Sequence, residues 1–183
     1  MVKFYKSLVC VLSLTVMSVT LWAESPEAAM QKVAVASGLD AFGSVESVSY
    51  TFNVELPNKN VTRSWKWWPE ADRVELSESG KASITYLRGG DADPAVDAKF
   101  INDLYWLMFP FVVVWDDTVT LETIDAGNYT AGIEANGGIK VIYPAGVGYT
   151  PGDVYEVYYD SDYLMTHWVF RKGGNAEPNL VST

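Results

Sequence analysis

In 183 residues the chain carries a formal net charge of −10, which becomes −12 once residues 1–23, holding Lys3 and Lys6 and no acidic group, are set aside. That field repels nucleic acid and anionic lipid head groups and favours solubility, so a nucleic-acid role is disfavoured. The single cysteine, Cys10, lies in the same leader, so the remaining chain of about 160 residues has no disulfide, thiol nucleophile or thiolate metal ligand and depends on its core alone.

The leader reads as a secretory signal peptide: a basic start at Lys3 and Lys6, an apolar run from Leu8 to Trp22, and cleavage after Ala23. Cys10 sits inside the apolar run rather than at its end, which argues against a lipid anchor, and the run is short for a membrane span. The expected localisation is therefore the periplasm. Ser25-Pro26-Glu27 then opens a helix, with Ser as N-cap, Pro in the first turn and Gly38 as its stop; Ala28, Val33 and Ala36 are its expected inward face.

Beyond a turn over 39–43, Val48 to Leu56 alternates strictly, with Val48, Tyr50, Phe52, Val54 and Leu56 apolar and the residues between them polar. One face of that strand is buried and the other wet. Pro57 to Asn60 makes a hairpin turn, Val61 to Trp68 a second strand with Trp65, Trp67 and Trp68, Arg73 to Ser77 a third, and Ile84 to Tyr86 a fourth. Strands at spacings of about ten residues describe an antiparallel meander.

The period then changes. Val96, Phe100, Leu104 and Met108, joined by Leu107, form the apolar stripe of a helix that starts at Asp93-Pro94 and is stopped by Pro110, with Asp97, Lys99 and Asp103 off the stripe. Phe109 to Trp115 reads as an apolar plug, Val119 to Ile124 as a strand and 125–138 as a polar, Gly-rich excursion. From Ile139 to Phe170 three runs rich in β-branched and aromatic residues close the meander around a Thr150-Pro151-Gly152-Asp153 turn, in which Pro151 and Gly152 suit the centre of a type II turn. The tail, 173–183, has no periodicity and is expected to be flexible. The expected organisation is a leader over 1–23, one domain over 24–172 and that tail.

Three segments carry a family resemblance: Gly38-Leu39-Asp40-Ala41 running into Ser47-Val48-Ser49-Tyr50-Thr51-Phe52, then Tyr105-Trp106-Leu107-Met108-Phe109-Pro110-Phe111, then 147–155 closing on Trp168-Val169-Phe170. They resemble exported bacterial proteins similar to the outer-membrane lipoprotein-carrier (LolA-like) superfamily. The resemblance implies an α+β fold, a curved antiparallel sheet forming an incomplete barrel with helices on its concave face. In characterised members of that superfamily the cavity holds acyl chains. It carries over no catalytic residue, and fold analogy alone says little about function.

His167, the only histidine, has no nucleophile motif near it in sequence and reads as an ordinary strand residue rather than a general base. Asp91-x-Asp93 and Asp160-x-Asp162 lack the other positions of a calcium loop and read as turn aspartates. The aromatic load is the remaining signal. Tyr50, Phe52, Val54, Trp65, Trp67, Trp106, Trp168 and Phe170 are the candidate wall of an apolar cavity, or else plain core beneath a helix. The leading expectation is a monomeric, non-catalytic periplasmic protein, with no cofactor or metal, that binds a lipid acyl chain or a lipidated partner. The alternative is an interaction or sensing module with a closed core.

Overall fold

The structure, a computed structural model, describes residues 24–56, 58–90, 92–146 and 151–182. The proposed leader with Cys10, Pro57, Asp91 and the first residue of the 150–153 turn lie outside the described residues.

Helix α1 spans Pro26–Ala36; Ser25 caps it by accepting the amide of Ala28 at 3.2 Å, and Gly38 follows with φ +104°, a backbone state that costs glycine no Cβ clash. Its buried stripe is Ala29, Met30, Val33 and Ala34 rather than the expected Ala28, Val33 and Ala36. A short helical turn, α2 (Leu39–Phe42), leads into four strands: β1 (Val48–Leu56), β2 (Lys59–Trp68), β3 (Arg73–Ser77) and β4 (Ile84–Leu87). Helix α3 (Pro94–Trp115) follows, and then β5 (Thr120–Ile124), β6 (Gly137–Ile142), β7 (Val154–Tyr159), β8 (Met165–Arg171) and β9 (Leu180–Ser182).

The strands make two antiparallel sheets, β1-β2-β3-β4 and β5-β6-β7-β8-β9, each in sequence order. The fold is thus α+β with antiparallel strands, as expected from sequence, but the described strands form two sheets rather than one curved sheet; among the described residues no barrel is closed. The divider is α3. It interrupts the meander between β4 and β5, and its two faces are buried against different sheets. Val96, Phe100, Leu104, Met108 and Phe111 pack on Trp65, Trp67, Val74 and Leu76 of the first sheet. Tyr105, Phe109 and Val113, spaced four apart, pack on Ile139, Val141, Tyr155, Val157 and Trp168 of the second and on Met30 and Val33 of α1.

Pro110 does not stop this helix. The chain kinks, with Met108 at φ −120°, ψ 31°, and then resumes helical geometry through Trp115. A proline lacks the N–H for the preceding turn and its ring clashes there, so a kink with local bond loss is the alternative to termination. Burial of Phe109, Phe111 and Val113 outweighs both that cost and the weak helix propensity of the Val112-Val113-Val114 run. Leu107, placed on the stripe from sequence, is 51% exposed, whereas Asp103 is fully buried. Among the described residues no helix is long and apolar enough to cross a membrane.

Two further departures concern the second sheet. The excursion at 125–136 folds over its outer face, where Tyr129 meets Tyr158 edge-on at 5.1 Å. At the end of the excursion Gly137 lies opposite Tyr159 on the inner side, where a Cβ would displace the end of the Tyr159 ring. The tail, read as flexible, ends in β9, paired with β8 through Trp168↔Ser182, Val169↔Val181 and Phe170↔Leu180. The approach is held by Asn179, whose amide donates to the Phe170 carbonyl at 2.8 Å and whose Oδ1 accepts from the Lys172 amide at 2.7 Å. Three residues are too few to display a period.

Phe109→Ala is expected to cost about 3–5 kcal/mol of unfolding free energy and Leu107→Ala no more than about 0.5 kcal/mol. Urea denaturation of the two variants checks this; equal losses would contradict the buried faces assigned to α3.

Candidate functional site

The inward face of β1 is only partly covered. Tyr50, Phe52 and Val54 point to the same side as Trp65 and Trp67 of β2, yet they remain half-buried. β1 is an edge strand, and α3 lies over β2 and β3. The gap left at the seam between the sheets is a hollow of about 520 Å³ between Phe52 and Val54 of β1, Val61 and Arg63 of β2, Trp106 of α3 and Leu180 of β9. A second hollow of about 350 Å³ continues it past Tyr50, Asp103 and Leu107. A third, of about 430 Å³, lies on the far side of Trp106 between α3 and the second sheet, against Tyr105, Tyr143, Tyr155 and Phe170. Trp106 borders all three and is 40% exposed. Each volume falls in the range of about 300–1,000 Å³ usual for small-molecule sites.

Of the eight residues singled out from sequence, Tyr50, Phe52, Val54, Trp106 and Phe170 border these hollows. Trp65, Trp67 and Trp168 do not; they are packed core, at 2%, 7% and 6% exposure. Trp65 and Trp67 both meet Phe100, with ring centroids 5.4 and 5.9 Å apart. Trp168 stacks on Tyr155 at 5.7 Å and meets Trp106 edge-on at 4.7 Å, so it supports the exposed indole from behind.

Sequence reasoning missed the polar centre of the site. Asp103 accepts from Arg63 through Nε and Nη2, both at 2.6 Å, from the Trp65 indole at 2.8 Å and from Asn102 at 3.0 Å. The hydrogen bonds and charge of Asp103 raise the Arg63 guanidinium further above its ordinary value, against a smaller opposing effect of burial. Two sequence signals were available. Arg63 shares the parity of Val61, Trp65 and Trp67, so a cation stood on the inward face of a strand and needed a carboxylate. Asp103 is three residues from Phe100 and one from Leu104, which puts it beside the apolar stripe. The hydroxyl of Tyr50, near this ion pair, is buried without a hydrogen-bond partner among the described residues. Burial and the Asp103 charge push its ionisation far up, so it is a neutral phenol.

A second buried carboxylate holds the outer face of the second sheet. Glu156 accepts from Thr130 at 2.6 Å, Tyr158 at 2.7 Å and Arg171 at 2.6 Å. Burial raises its pKa, but the three hydrogen bonds and the Arg171 charge outweigh that, and the net result is below the ordinary carboxylate value. His167 pairs opposite Tyr158 on this same outer face, away from the hollows, with Nδ1 3.1 Å from the Thr166 hydroxyl. Of the aspartates weighed as calcium-loop fragments, Asp93 is the N-cap of α3 and accepts the Ala95 amide, and Asp160 accepts the amides of Asp162 and Leu164 in a turn. Among the described residues no three His, Cys, Asp or Glu side chains are grouped to hold a metal ion.

The arrangement is suited to binding: apolar hollows with a neutralised ion pair on one side and tyrosine hydroxyls on the other. No family model, curated protein or solved structure matches the chain.

Asp103→Ala strands Arg63 in a buried site and is expected to cost about 3–5 kcal/mol, whereas Tyr50→Phe removes an orphaned hydroxyl and is expected to be neutral or stabilising by up to about 1 kcal/mol; chemical denaturation separates the two. For pH, a lowered folded-state pKa at Glu156 gives stability that is present above the ordinary value of 4.5 and lost as pH falls below it. Burial pushes Tyr143 from 10.0 up to about 12, which gives stability that is present below pH 10 and lost above it. A stability-against-pH profile should therefore fall at both ends, and Glu156→Gln should flatten the acid limb alone.

Proposed function

We propose that the chain is an exported, non-catalytic binding protein of the bacterial envelope that holds the acyl chain of a lipid or lipidated partner in the groove at the seam of its two sheets. The supporting observation is the apolar hollow of about 520 Å³ between β1, β2 and β9, opening on the half-exposed Trp106. A closed hydrophobic core would bring those side chains into contact; here Phe52, Val54, Val61 and Leu180 border unfilled space. In this reading the two sheets are the halves of one incomplete, LolA-like barrel, and α3 lies on its concave side. Each methylene taken from water into such a groove contributes about 0.8 kcal/mol, so about ten of them supply about 8 kcal/mol before the cost of ordering the chain. The Arg63–Asp103 pair at the groove wall orients without adding net charge.

Native mass spectrometry of the protein purified from its own envelope is expected to retain a bound lipid mass, and a fluorescent fatty acid should bind and be displaced by unlabelled lipid. Phe52→Ala combined with Trp106→Ala should weaken that binding at least tenfold with an unchanged circular dichroism spectrum. A bare polypeptide mass together with no fatty-acid binding overturns the reading; recovery of a single protein partner by crosslinking would then favour an interaction module.

A further inference from the structure

The seam hollow is polar at one end only. Along the β1–β2 ladder the inward pair Val54↔Val61 is apolar, the next, Phe52↔Arg63, brings in a cation, and the one beyond it, Tyr50↔Trp65, adjoins Asp103 through the Trp65 indole. Besides Arg63, the polar residues bordering the hollow are Asn53 and Asn102; among the described residues no carboxylate and no lysine borders it.

Arg63 is engaged along one edge of its guanidinium. Nε and Nη2 hold Asp103, and Cζ lies 5.3 Å from the centroid of the Phe52 ring, at the wall of the hollow. Nη1 has no acceptor among the described residues. The Arg63 side chain keeps 14% exposure, and Nη1 is not sealed from solvent; the sealed side-chain donor without a partner is the Tyr50 hydroxyl. The groove therefore offers a ligand one open, charge-carrying donor at its polar end, on a planar group whose orientation Asp103 already fixes.

Charge decides which acceptor suits that donor. Asp103 has cancelled the charge of Arg63, so a ligand carboxylate would put a second anion on one guanidinium and leave a negative charge uncompensated in a partly buried site. An ammonium would meet Arg63 with like charge and find no carboxylate in the hollow. A plain hydrocarbon would cover Nη1 and leave its N–H groups dry and unbonded. A neutral carbonyl oxygen accepts the bond and adds no charge.

We infer that the ligand of the seam groove carries a neutral carbonyl on its apolar chain, as an ester or amide does, and that Nη1 of Arg63 donates to that oxygen. The chain runs from Arg63 along Phe52, Val54, Val61 and Leu180. The inference rests on the reading of the seam as the acyl groove and adds that the groove prefers linked acyl groups to the free acid.

Displacement of a fluorescent fatty acid by N-methyldecanamide, methyl decanoate, decanoate and decane tests it on the whole exported chain. The amide and ester should displace the probe at several-fold lower concentration than decanoate. Arg63→Lys keeps the charge beside Asp103 and removes the open edge; it should weaken the amide and ester about tenfold and leave decane unchanged. If thermal melts show that variant unfolded, Arg63→Met combined with Asp103→Leu, which strands neither charge, gives the same comparison. The infrared carbonyl band of bound methyl decanoate, labelled with carbon-13 at the carbonyl, should lie lower in the unsubstituted protein than in the variant. The mass retained on protein from its own envelope tells an ester-linked glycerolipid from an acylated peptide. Decanoate binding as tight as the amide, equal losses for amide and decane, or a carbonyl band unmoved by the substitution overturns this inference and leaves the acyl reading standing. Failure of all four compounds and of the probe to bind overturns both.

Discussion

Helix α3 is buried on two sides at once, and the rest of the molecule is arranged around that constraint. A helix with one apolar stripe covers one sheet; α3 has two stripes about 100° apart, one reading Val96-Phe100-Leu104-Met108 and the other Tyr105-Phe109-Val113. Two sheets can therefore share one helix. Neither needs to close on itself, and their edges β1 and β9 are left facing each other across a gap. Beyond the kink at Met108 and Pro110 the helix still serves both clusters, with Phe111 in the first and Phe109 and Val113 in the second, where α1 packs against it.

The polar interactions fix this geometry more than they stabilise it. A buried pair such as Arg63–Asp103 loses hydration on both sides, and its net worth against a well-packed apolar pair is small. It ties β2 to α3: the guanidinium fork and the Trp65 indole converge on the one helical carboxylate. With α3 held so, Trp106 and Leu107 face outward. The same argument applies on the outer face of the second sheet, where Glu156 ties β7, β8 and the 125–136 excursion through Arg171, Tyr158 and Thr130.

Trp106 separates two hollows of different lining. On the β1 side the walls are apolar and the nearby charges are paired. On the β6–β7 side the carboxylates Asp116 and Asp153 are unopposed and the tyrosines carry hydroxyls.

The sequence by itself determined the local structure. The strict alternation of β1, the Ser25 cap, the Gly38 stop, the hairpins of the first sheet and the closing meander follow from side-chain period and turn chemistry, which are properties of neighbours in the chain. Only the tertiary structure decided how those elements divide. Whether Trp65, Trp67 and Trp168 are core or cavity wall depends on which helix face covers them. Asp103 is buried because Arg63, forty residues earlier, stands opposite it, and Phe109 to Trp115 stays helical because both its faces are covered. β9 exists because β8 offers it an edge. Each of these rests on a contact between residues distant in sequence, and neither period nor propensity records such contacts.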